Sequence, residues 1–140
     1  MAIGSGPKTF SSGLDIKLFK KKDYEQIWNL FKLFHHLIRR LLTFPMPTVC
    51  VVNGHCVAGG VLLSLGFEHV IMNGNPKCKL KLNEVENGLV VPGGLIHLTA
   101  FKTRPHTLSM LLLAKKFSPQ TALSSGIIHS LYLDDSDLFD

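Results

Sequence analysis

Residues 47–60 read Pro47-Thr48-Val49-Cys50-Val51-Val52-Asn53-Gly54-His55-Cys56-Val57-Ala58-Gly59-Gly60, and they decide the fold class. The run at 48–52 is rich in β-branched residues and does not alternate with polar ones. Such a strand is buried on both faces, as in a parallel sheet between helices. Asn53-Gly54 is turn chemistry. Ala58-Gly59-Gly60 then opens a helix running through Val61, Leu62, Leu63 and Leu65. Residues 48–67 carry no Asp, Glu, Lys or Arg over twenty positions, a length that can span a bilayer. Asn53, Gly54, His55, Gly59 and Gly60 instead punctuate it as strand, turn and helix, so no membrane span is expected.

Working outward, residues 1–10 read as the last part of a strand, followed by the small-residue turn Ser11-Ser12-Gly13-Leu14-Asp15. Asp23 is an N-cap candidate with Gln26 three positions on. Ile27, Leu30, Phe31, Phe34, Leu37, Ile38, Leu41 and Leu42 follow in steps that build one apolar stripe on a helix. Trp28, Phe31 and Phe34 read as core. Lys32, His35, His36, Arg39 and Arg40 read as the solvated side, and Pro45 and Pro47 end the helix. Downstream, Val70-Ile71-Met72 is a short strand and residues 79–82 alternate as a half-buried one. Residues 83–94 form an ordered loop, and helices are predicted over 95–101 and 105–115. Ser118-Pro119 starts a further helix that Gly126 closes. Residues 127–133 are a last strand, so strands alternate with helices and the class is α/β.

The chain has 140 residues, 46% hydrophobic and 18% charged, which excludes a disordered chain and fits one domain over 1–133 with an acidic tail at 134–140. The net charge is +5, although Asp134, Asp135, Asp137 and Asp140 all sit in the last seven residues. Lys17, Lys20, Lys21 and Lys22 read as a solvated cluster. Charge alone does not choose between nucleic acid, membrane and phosphate-bearing ligands; no recognition motif accompanies it, so no nucleic-acid partner is expected. Cys50, Cys56 and Cys78 are odd in number and without a CxxC pair. They read as buried thiols rather than a disulfide framework or a zinc site. No leader of the secretory type opens the chain.

Four segments taken together carry a resemblance: Phe10-Ser11-Ser12-Gly13-Leu14-Asp15, residues 47–60, Asn83-Glu84 through Pro92-Gly93-Gly94, and FSPQTALSSG at 117–126. Their order and spacing resemble the crotonase superfamily, the enoyl-CoA hydratase/isomerase fold, over about residues 5–132. The resemblance implies a ββα spiral fold that is partial here, lacking the family's N-terminal strands and C-terminal trimerisation helices. It implies an acyl-CoA thioester as ligand, coenzyme A being part of the substrate, with no separate cofactor and no metal. It also implies homo- or hetero-oligomers through crotonase-type contacts and a peroxisomal or mitochondrial setting, although Leu138-Phe139-Asp140 is not an SKL-type signal.

In this family two backbone N–H groups hold the thioester oxygen as it gains negative charge. By resemblance these are the N–H groups of Leu14 and Gly59, with Ser12, Gly13, Asp15, Lys17, Gly60, Leu62 and Pro92 around the substrate. Glycine permits close backbone approach, and a helix start presents free N–H groups. Hydratases of the family use two carboxylates. Here the first of those positions is Leu62, which cannot titrate, and the second is Glu84. A single carboxylate suits a proton shuttle, and Glu84 within LNEVENGL resembles the Δ3,Δ2-enoyl-CoA isomerases, especially plant-type peroxisomal ones. Leu82, Val85, Leu89, Val90 and Val91 are positioned to form an apolar pocket that raises the Glu84 pKa. Glu86 is the rival base, and in extended chain it would share a face with Glu84. His55 reads as a local structural hydrogen-bonder, and His97 is a candidate for the acyl pocket. The alternatives to an isomerase are a non-catalytic crotonase-like subunit, motivated by the missing strands, and a hydratase, disfavoured by Leu62.

Overall fold

The computed structural model describes residues 1–20, 23–134 and 138. Lys21, Lys22 and the tail residues Asp135, Asp137 and Asp140 lie outside the described residues. The strands are β1 (Ala2–Ile3), β2 (Thr9–Ser11), β3 (Val49–Val52), β4 (His55–Val57), β5 (His69–Asn73), β6 (Leu80–Lys81) and β7 (Ser130–Tyr132). The helices are α1 (Lys17–Lys20), α2 (Tyr24–Leu42), α3 (Gly59–Leu65), α4 (Gly93–Lys102), α5 (Thr107–Leu111) and α6 (Pro119–Ser124), and a 3-10 turn covers Val85–Asn87.

The strands form two sheets, ordered β1-β3-β5-β7 and β2-β4-β6, with every pairing inside them parallel. Successive strands go to alternate sheets, and helices carry the chain back. This strand–strand–helix step repeats through β1-β2, β3-β4 and β5-β6 before β7 closes the larger sheet, which is the expected ββα spiral. β3 lies between β1 and β5, and Cys50, Val51 and Val52 are fully buried. The unbroken apolar run is explained by neighbours on both sides and cover on both faces.

The strand expected within residues 1–10 is in fact two strands, one in each sheet. Gly4, Gly6 and Pro7 interrupt it, and Asn53 holds the break. The Asn53 Oδ1 accepts from the Gly4 N–H at 3.1 Å, and its Nδ2 donates to the carbonyls of Gly4 and Gly6 at 3.0 and 2.7 Å. At the other end, Ile127 and Ile128 are core residues preceding a strand shorter than the one predicted.

Local capping follows the sequence. Asp23 accepts from the Gln26 N–H at 3.0 Å, and Ser118 accepts from the Thr121 N–H at 3.2 Å ahead of Pro119. On α2, Phe34 and Ile38 are buried, whereas Leu37 and Leu42 at the edge of the stripe are exposed. Trp28, expected in the core, is 71% exposed; it lies about 100° around the helix from the Phe34–Ile38 line. The three cysteines are free and buried, and burial pushes the Cys50 thiol up to about 12.

Candidate active site

Parallel pairing decides where the site forms. β2 and β4 are neighbours with Ser11 opposite Cys56, and β4 and β6 are neighbours with Val57 opposite Lys81. The chain therefore leaves all three strands at the same end of the smaller sheet. The three exits are Ser12 to Asp15, Ala58 to Gly60, and Leu82 to Glu84. Carboxyl ends of parallel strands are where open α/β sheets place ligands. A cavity of about 480 Å³ lies there, walled by these exits and by residues from α1, α2, α4 and the segment 87–92.

Two of the exits are pressed together. Gly13 has φ +94°, and a Cβ there would stand 2.8 Å from Gly59 N and 2.9 Å from Ala58 Cβ. A Cβ on Gly59 would lie 3.4 Å from Leu14 N, an ordinary contact. The backbone amides of Leu14 and Gly59 thus lie in adjoining segments of the cavity wall, and among the described residues neither N–H finds a protein acceptor. Ala58 is held at φ 52° and ψ −129° at the start of this segment, a sparsely populated conformation that costs a non-glycine residue on the order of 1–3 kcal/mol.

Glu84 enters from the third exit, at the start of the 3-10 turn. Its Oε2 is buried and has no hydrogen-bond partner. Desolvation raises the carboxyl above its ordinary value, while the N–H groups of Glu84 and Asn83 pull the other way. Glu86 is placed differently from the extended-chain expectation. Residues two apart on a 3-10 turn face different directions, and the Glu86 carboxylate accepts from Lys81 Nζ at 2.7 Å on the exposed side.

Of the residues singled out in the sequence, Ser12, Gly13, Leu14, Asp15, Gly59, Leu62, Glu84 and Pro92 line the cavity. Lys17 and Gly60 do not. Lys17 is exposed, its N–H bonded to the Asp15 carboxylate at 2.9 Å. Gly60 packs instead on β2, where a Cβ would stand 2.7 Å from Ser11 Cβ. Leu89, Val90 and Val91 line the cavity as anticipated, whereas Leu82 is in the core and Val85 is exposed. His97 is exposed and outside the lining. His55 begins β4, and its Nδ1 is buried without a partner rather than hydrogen-bonded.

The sequence profile of the enoyl-CoA hydratase/isomerase family matches residues 2–137. This chain belongs to that family. A fatty acid oxidation complex subunit alpha from Aliivibrio fischeri is 30% identical over 131 residues, spanning 91% of this chain and 19% of that protein. A peroxisomal enoyl-CoA delta isomerase 2 from Arabidopsis thaliana is 29% identical over 137 residues, spanning 93% of this chain and 57% of the relative. The crystal structure of human mitochondrial delta3-delta2-enoyl-CoA isomerase superposes with a TM-score of 0.89 at 26% identity, covering 98% of this chain and 54% of that one. The chain therefore spans between a fifth and just over half of these family members.

The cavity is also lined by residues to which the sequence assigns no role there, among them Ile16, Phe19, Asn87 and Leu95. Phe34 is in the core as expected and Phe31 is only partly buried; both wall the cavity. Nothing in helical periodicity separates a residue facing a core from one facing a pocket, since both lie on the buried side.

Proposed function

We propose that this chain carries the site of an enoyl-CoA isomerase that moves a double bond from position 3 to position 2 of a fatty acyl-CoA. The observation that carries the reading is that Glu84, whose Oε2 is buried without a hydrogen-bond partner, lines the same cavity as Leu14 and Gly59, whose amides find no protein acceptor among the described residues. Glu84 takes a proton from C2 of the 3-enoyl-CoA. The electron pair spreads through the thioester carbonyl, whose oxygen becomes an enolate between the two N–H groups. Each such donor typically contributes about 2.7–4 kcal/mol of barrier lowering. Glu84 then returns the proton at C4, and the double bond rests between C2 and C3.

The surroundings support this chemistry. Leu62, Phe31, Phe34 and Leu95 offer the acyl chain an apolar wall. Leu62 is 3% exposed and cannot activate a water, which disfavours hydration. Coenzyme A arrives as part of the substrate, and no step calls for another cofactor or a metal. Lys17 stands exposed two residues beyond Asp15 of the lining and offers a cation to a phosphate of the CoA. Phe101, Leu108, Leu112 and Leu113 are all more than 60% exposed; they fit burial against another chain, a like or an unlike copy. No helix among the described residues is long and apolar enough to cross a membrane. The setting we propose is a compartment of fatty acid oxidation, peroxisome or mitochondrion, a reading supported by the names of the relatives.

The test is conversion of a 3-enoyl-CoA to its conjugated 2-enoyl isomer, read by absorbance. Glu84→Gln is expected to abolish it while acyl-CoA binding persists; undiminished turnover in that variant refutes the shuttle. Loss of 2-enoyl absorbance on adding 2-enoyl-CoA would mark a hydratase. A folded chain with no acyl-CoA affinity would mark a non-catalytic subunit.

A further inference from the structure

Asn83 is unusual in how its groups are used. Its backbone carbonyl accepts twice, from the Glu86 N–H at 3.2 Å and from Asn87 Nδ2 at 2.9 Å. Its side-chain Oδ1 is buried and accepts from nothing. A buried polar atom without a partner in a folded protein calls for an account. The main chain is thus pinned by two bonds, while the amide oxygen is left unpaired on a residue that lines the cavity. The next residue is Glu84, and its Oε2 is the second unpartnered buried oxygen of the same wall.

The two oxygens belong to consecutive residues, and each lacks a donor. They become a matched pair once Glu84 carries a proton, because a carboxylic acid has one O–H to give. We propose that Asn83 is the positioning residue of Glu84, its Oδ1 receiving the O–H of the protonated acid and holding that proton in the cavity between its removal from C2 and its return at C4. This rests on the isomerase reading above. The other charged groups near Glu84 do not take this part. Asp15 is the only other ionisable side chain among the described lining residues, and its carboxylate bonds the Lys17 N–H. Lys81 and Glu86 are occupied with each other.

The experiment reads the acid directly. The chain is labelled with 13Cδ-glutamate, Glu84→Gln identifies the Glu84 resonance, and its titration is followed by NMR in the wild type, Asn83→Ala and Asn83→Asp. Asn83→Ala removes the acceptor and is expected to lower the Glu84 midpoint by about half a unit to one unit. Asn83→Asp keeps the shape but adds a neighbouring negative charge, and is expected to raise the upper midpoint. With 3-enoyl-CoA, Asn83→Ala should lower kcat several-fold, leave KM unchanged, and move the acid limb of the rate profile with the NMR midpoint. An unmoved midpoint in Asn83→Ala, or shifts of the same sign in both variants, overturns the assignment. Full isomerisation by Glu84→Gln would instead overturn the shuttle itself, whatever the titrations show.

Discussion

Gly13→Ala is the sharpest probe of the site. A methyl group there would meet Gly59 N at 2.8 Å and Ala58 Cβ at 2.9 Å, both closer than real Cβ contacts allow. Neither neighbour can swing aside, since one is backbone and the other the first side-chain atom of a residue already held at φ 52°. The φ of +94° at Gly13 adds strain for any L side chain, roughly 1–2 kcal/mol. The segment bearing the Leu14 amide must therefore move away from the one bearing Gly59. Separating the two donors forfeits one of them, about 2.7–4 kcal/mol of transition-state stabilisation, or a 10²–10³-fold loss of kcat. Stability should fall far less, because no core side chain is altered. The assay pairs thermal melting with isomerisation of a 3-enoyl-CoA at saturating substrate. Gly59→Ala supplies the steric control, its Cβ contacts starting at 3.4 Å, so it should fold without displacement. A Gly13→Ala protein that melts a few degrees lower yet keeps kcat within about threefold of wild type would refute the convergence of the two amides as the source of catalysis.

Three further outcomes are expected. Burial raises the folded pKa of Glu84, so the ionised carboxylate opposes folding at neutral pH, and that penalty fades as the pH falls through the raised value toward the unfolded one. Glu84→Gln should accordingly melt higher than wild type at pH 7, with the difference closing near pH 4, a trend that melting curves across this range will reveal or deny. Glu86→Gln breaks only an exposed ion pair with Lys81; it should leave isomerisation intact and cost no more than about 1 kcal/mol in denaturant unfolding. Burial raises the thiols of Cys50, Cys56 and Cys78, so a thiol reagent at pH 8 should label them only after denaturation, and rapid labelling of the native chain would contradict the packing.

Much of the local structure was legible in the residues themselves. The strand at Val49–Val52, the Asp23 and Ser118 caps and the helix opening at Gly59 depend on side chains within a few positions of one another. The Gly13 turn and the candidate acid Glu84 were legible for the same reason, supported by their resemblance to a family. What the chain order could not express was adjacency across the sheets. Ser11 lies opposite Cys56, and Val57 opposite Lys81; only these long-range pairings bring the three exits to one cavity. They also decided that Gly60 packs on a strand while Gly13 and Gly59 meet at the site, that Phe31 walls a pocket, and that Glu86 turns away to Lys81. Periodicity and capping are written in nearest-neighbour chemistry, whereas a cavity lined at once by Leu14, Gly59 and Glu84 exists only once the sheets have assembled.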